Sequence, residues 1–211
     1  MDLRGPTEIH QKDPGVEDTA RTVASEYGEC AVTDKLREAT PEDRVLTRIG
    51  QAIMLHRAGD REEARNRLSE LWYEIGPQGD AFHRCALAHY MADTQDDPRD
   101  ELDWDLRALE AAEHFVTERP DGCGAGHREP GIAGGPGPRH PLVALRAFFP
   151  SLHLNIAADY AALDRPADAR AQLRRARASA SALADGEYRQ SLRDAIDQLQ
   201  LRIDGAAGQP P

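Results

Sequence analysis

Apolar residues recur at steps of three and four along most of the chain beyond residue 40. Val45, Ile49, Ala52, Ile53 and Leu55 fall on one side of a helix. Thr40-Pro41-Glu42-Asp43 supplies its start. Thr40 can cap, Pro41 suits the first helical position, and the acids favour the positive helix end. Gly59-Asp60 breaks that helix, and Ala64, Leu68, Leu71 and Ile75 mark a second one, which Gly76 and Pro77 stop.

The same reading predicts a second helix pair, from about Asp80 to Asp93 and from Pro98 to Val116. Its stripes are Phe82, Ala86, Leu87, Tyr90 and Met91, then Leu102, Leu106 and Leu109. A third pair is predicted from about Leu142 to Leu163, with a kink or break near Pro150, and from Pro166 to Leu183. Tyr188, Leu192, Ile196, Leu199 and Ile203 form the single stripe of a closing helix with a polar outer face.

Between these segments the pattern lapses. Residues 1–39 carry no sustained period and are expected to be a mobile or loosely docked tail, with room for a short helix around Glu17 to Tyr27. Residues 119–141 are crowded with Gly and Pro and cannot form a regular element; a disordered loop is expected. Residues 204–211 read as a second tail, which leaves 40–203 as the helical domain.

Composition agrees with an all-α fold. Val and Ile are scarce, the periodic runs are rich in Ala, Leu, Arg and Glu, and only 5% of residues are aromatic, so Ala and Leu must supply most of the packing. Small side chains let paired helices approach closely.

The paired segments also share a layout. In the third pair His153, Ile156-Ala157 and Tyr160 are followed by Ala169, Leu173 and Ala176 in the second helix. The first pair offers Ala52, Leu55, Ala64, Leu68 and Leu71, with Gln51 where a large apolar residue is expected. The second offers Leu87-Ala88, Met91, Leu102, Leu106 and Leu109, with two extra residues in its turn. This layout resembles the tetratricopeptide repeat.

The chain also looks like a group of uncharacterised actinobacterial tetratricopeptide proteins. The segments Leu87-Ala88-His89-Tyr90-Met91-Ala92-Asp93, Gln95-Asp96-Asp97, Trp104-Asp105-Leu106-Arg107-Ala108-Leu109 and Pro150-Ser151-Leu152-His153-Leu154-Asn155 carry that likeness. The resemblance implies antiparallel helix pairs stacked as a short α-solenoid with a C-terminal capping helix. It brings no activity with it.

A net charge of −11 speaks against a nucleic-acid partner, because no general phosphate-neutralising surface is present. Arg170, Arg174, Arg175 and Arg177 are spread around a helix, mixed with Asp168, and read as a solvated helix face. The 3 cysteines, Cys30, Cys85 and Cys123, form no CxxC pair, which points to a reducing compartment and a cytoplasmic chain. No apolar run is long enough for a membrane span, and no signal peptide is legible.

Among candidate chemistries, Asp80-Phe82-His83 matches half of a di-iron motif, but Glu110 and His114 stand four apart and fail to complete it. Cys123 and His127 share a Gly-rich loop that would fix neither a thiolate nor a base. Trp104 reads as a half-buried anchor and His153 as a core histidine satisfied by a backbone carbonyl.

The family alignment aims His89 and Asp93, one turn apart, at a concave groove. His56, Arg57 and Asn155 are expected to face the same way. Such a groove would hold a protein or peptide partner; a small polar ligand or an enzymatic substrate is the alternative. A solvated polar face with an ordinary His–Asp contact accounts for the same residues. No metal or other cofactor is expected, and a homodimer formed through exposed repeat ends is compatible with the pattern.

Overall fold

The computed structural model of the protein describes residues 44–118 and 141–207. The expectations for the 1–39 tail, the Thr40–Asp43 start signal, Cys30, Cys123, His127, the 119–141 loop apart from its last residue, and the final four residues lie outside the described residues.

Seven helices and no strand make up the described residues. They are α1 Arg44–Arg57, α2 Arg61–Ile75, α3 Ala81–Asp93, α4 Pro98–Glu118, α5 Pro141–Ala162, α6 Pro166–Ser181 and α7 Glu187–Ala207. Each helix packs against the next in sequence, so α1/α2, α3/α4 and α5/α6 are neighbouring pairs. The odd-numbered helices also touch in series, α1 on α3, α3 on α5 and α5 on α7.

Local chemistry sets the ends. Asp60 accepts the Glu63 N–H at the start of α2, and Asp80 accepts the N–H groups of Phe82 (3.0 Å) and His83 (3.2 Å) at the start of α3. Asp80 thus caps α3, and among the described residues no group of three or more His, Cys, Asp or Glu side chains is placed to hold a metal. Helix α6 begins with Pro166, and α5 runs through Pro150 without ending there.

The turns that close the first and third pairs share one geometry. Gly59 (φ 90°) and Asp164 (φ 54°) both sit in the left-handed region. In the first turn Asp60 N–H donates to Leu55 O and Gly59 N–H to His56 O. In the third, Arg165 N–H donates to Tyr160 O and Asp164 N–H to Ala161 O. These are the paired bonds of a Schellman ending. Ala52, Gly59, Ala64, Leu68 and Leu71 each lie the same number of residues before Ala157, Asp164, Ala169, Leu173 and Ala176.

Small residues stand at the close approaches. Ala52, Ala64, Ala88, Ala157, Ala169 and Ala176 are fully buried. Helix α3 is buried on every side from Cys85 to Ala92, as expected for a helix contacted by α1, α2, α4 and α5. One apolar cluster joins α1 through α5, and a second joins α5, α6 and α7.

Helix α4 departs from the sequence expectation. Leu102 and Leu109 are buried, but Leu106 is 37% exposed, and the middle of the buried face is Glu101, Asp105, Ala108 and Ala112. This line, with Leu102 and Leu109 beside it, is what α4 presents to its neighbours. Arg65 fastens that turn to α2 through Thr94 O (Nε, 2.8 Å) and Asp96 (2.8 Å), and Arg61 pairs with Asp96 as well.

The arginines of α6 divide. Arg170 and Arg177 pair with Asp204 and Asp197 of α7, while Arg174 and Arg175 face solvent. This matches a mixed-charge helix face.

Candidate interaction site

Helix α3 places His89 one turn after Cys85, and α4 brings Asp105 against both. His89 and Asp105 have no exposed side-chain surface, and His89 Nδ1 lies 3.8 Å from Asp105 Oδ1. That separation exceeds a hydrogen bond, so the contact is electrostatic. The His89 ring stands edge-on to Phe148 of α5, with centroids 4.9 Å apart, and leans on Tyr90 at 5.0 Å.

Cys85, His89 and Asp105 together have the residue types of a nucleophile, base and orienting acid. Their environment opposes that chemistry. Burial pushes the Cys85 thiol far above its ordinary range, and the Asp105 carboxylate pushes it the same way. A thiol held protonated in a closed core is a packing group.

The five residues assigned to a groove are therefore not equivalent. His89 is 0% exposed and Asn155 is buried, so both face packed protein rather than an open groove. His56 and Asp93 are half-buried at the ends of α1 and α3, and Arg57 is exposed. Asn155 Oδ1 and His56 Nδ1 are buried atoms with no hydrogen-bond partner among the described residues. The His89 contact given by the structure is with Asp105 of the adjoining helix, a residue that sequence reasoning passed over. The signal was its spacing, since Asp105 falls three residues after Leu102 and three before Ala108, on the buried line.

His153 is a core histidine, as expected from its apolar neighbours, but its partner is a side chain. His153 Nδ1–H donates to Gln172 Oε1 of α6 at 2.9 Å. Desolvation lowers its pKa first, the Gln172 bond opposes that shift, Arg175 adds to it and Glu113 opposes it. The net direction is downward, so the folded chain resists protonating His153 more than the unfolded chain does. This stability is complete above the ordinary histidine value of about 6.5 and is lost as pH falls from there toward the folded pKa. His153→Gln should flatten the fall in Tm between pH 7 and pH 5. Parallel Tm profiles for the two proteins would show that His153 does not carry it.

A second group of residues comes from α2, α3 and α4. Trp72 and Trp104 meet edge to face with centroids 5.1 Å apart. Arg84 lies over Trp72 at 4.2 Å and Arg107 over Trp104 at 4.3 Å. Trp104 is thus the half-buried anchor expected, within an arrangement of two indoles between two guanidiniums. Arg84 and Arg107 line a cleft of about 480 Å³ between the α2–α3 turn and α4. Arg84 also donates to Gly76 O, which ties it to that turn.

Among the described residues no helix is long and apolar enough to cross a membrane. Compared with protein-family models, curated proteins and solved structures, the chain matches none of them.

Proposed function

We propose that the chain is a cytoplasmic protein-interaction module of the tetratricopeptide type, built to hold a segment of a partner protein. The observation that carries this reading is the equivalence of the first and third helix pairs. Their buried alanines, their left-handed turn residues and their turn hydrogen bonds recur at one fixed offset. The serial contact of odd-numbered helices is what stacked hairpins of this kind make.

The enzymatic alternative draws on the meeting of Cys85, His89 and Asp105. Full burial and the raised thiol pKa turn that group into structural packing instead. With His89 and Asn155 inside, partner recognition falls to exposed side chains.

Proximity labelling with the full chain in its native host, followed by reconstitution from purified components, tests this reading. A stoichiometric protein partner is the expected result. A chain that binds no protein but gains thermal stability from a small metabolite would overturn it.

A further inference from the structure

We infer that the cleft between the α2–α3 turn and α4 receives an acidic side chain of a protein partner, clamped between Arg84 and Arg107. The inference rests on the interaction-module reading and gives it a site.

Several arginines among the described residues have a carboxylate partner. Arg48, Arg61, Arg65, Arg67, Arg170, Arg177 and Arg189 all pair with Asp or Glu. Arg84 and Arg107 line one cleft, and neither has a carboxylate within 4.0 Å among the described residues. Each is held against an indole, and the indoles hold each other. Stacking fixes the guanidinium planes; Arg84 gives one donor to Gly76 O, which leaves its other edge donors and those of Arg107 for a ligand. Preorganised planar donors lose little entropy on binding and match a carboxylate in a bidentate manner.

The other charges of the cleft select the anion. Asp80 spends its carboxylate on the α3 N–H groups, which removes those donors from any ligand. Glu110 also lines the cleft. A dianionic phosphate would meet both acids, whereas a single carboxylate balances the two arginines with less repulsion. Glu110 can accept a donor from the ligand backbone. Leu106, 37% exposed, stands one helical turn before Glu110 on α4 and offers an apolar surface to a residue that continues past the cleft. That combination suits a glutamate followed by an apolar residue in a peptide better than a free dicarboxylate.

The test uses the full chain labelled with ¹⁵N-arginine and titrated with N-acetyl-Glu-Leu-amide. The Nε–H resonances of Arg84 and Arg107 should shift and saturate. The Gln-Leu counterpart should bind at least about tenfold more weakly, roughly 1.4 kcal/mol. Arg107→Gln should abolish the Arg84 response and leave Tm unchanged. Equal shifts with the Gln peptide, or equal shifts at Arg174 and Arg175, would overturn the site. Succinate or inorganic phosphate acting more strongly than the peptide would overturn the peptide source. A native partner still bound by the Arg107→Gln protein would remove this cleft and leave the interaction reading standing. Peptide binding without any native partner would do the reverse.

Discussion

Asp105→Ala should destabilise the folded chain by about 3–5 kcal/mol, a fall in Tm on the order of 10 °C. Asp105 has no exposed side-chain surface, and it faces His89 at 3.8 Å across the α3–α4 contact. Truncation removes a charge that the fold was arranged around and leaves His89 enclosed without its carboxylate. It also opens a cavity at the α3–α4 contact. Burying a polar group is costly once its compensation is gone. Thermal and urea denaturation of Asp105→Ala, His89→Ala and the double variant would form a cycle. A coupling of roughly 1 kcal/mol or more is expected, as for residues in contact. Strict additivity, or a fall in Tm no larger than a surface substitution gives, would mean that the two residues do not act together.

Ala157→Leu should cost about 1–3 kcal/mol by the opposite route, too much volume rather than too little. Ala157 is completely buried in the cluster of Leu154, Ala169, Leu173 and Ala176, where α5 packs on α6. Three added carbons have no space at that approach, and the helices must separate or adopt unfavourable rotamers. Ala178→Leu, on the exposed side of α6, is the control and should stay within about 0.5 kcal/mol of the parent. Equal melting of the two variants would mean that the small residue at 157 is not required for close helix contact.

Both expectations concern how helices meet, and the two differ in how visible they are in the sequence. Ala157 could be picked out from its place on the stripe with Ile156 and Tyr160. Asp105 was legible only through its spacing from Leu102 and Ala108, because an aspartate between Trp104 and Leu106 on an amphipathic helix ordinarily faces solvent. The three leucines 102, 106 and 109 form a convincing apolar stripe. Yet the structure gives the centre of the face to Glu101, Asp105, Ala108 and Ala112 and leaves Leu106 at its edge. Packing against α3 and α5 decides which of the two stripes of α4 turns inward.

The cleft arginines tell the same story. Arg84 and Arg107 lie on different helices, and each is unremarkable in its own segment. Only the packing of α2, α3 and α4 brings Trp72 and Trp104 together and sets a guanidinium on each.

The sequence by itself determined the helices and most of their limits. Apolar steps of three and four, Gly59-Asp60 as a break, Gly76 and Pro77 as a stop, and Pro166 at a helix start are local signals. Local signals act through backbone geometry within a few residues. It also identified the alanines at the helix contacts, since a repeated small residue among larger apolar ones marks close approach. The tertiary structure decided which polar groups went inside. His89 was expected on an open face and is enclosed, because α3 is contacted by α1, α2, α4 and α5 and has no side left for solvent. A residue's burial depends on every helix that packs around it, and those neighbours come from parts of the chain that no local pattern connects.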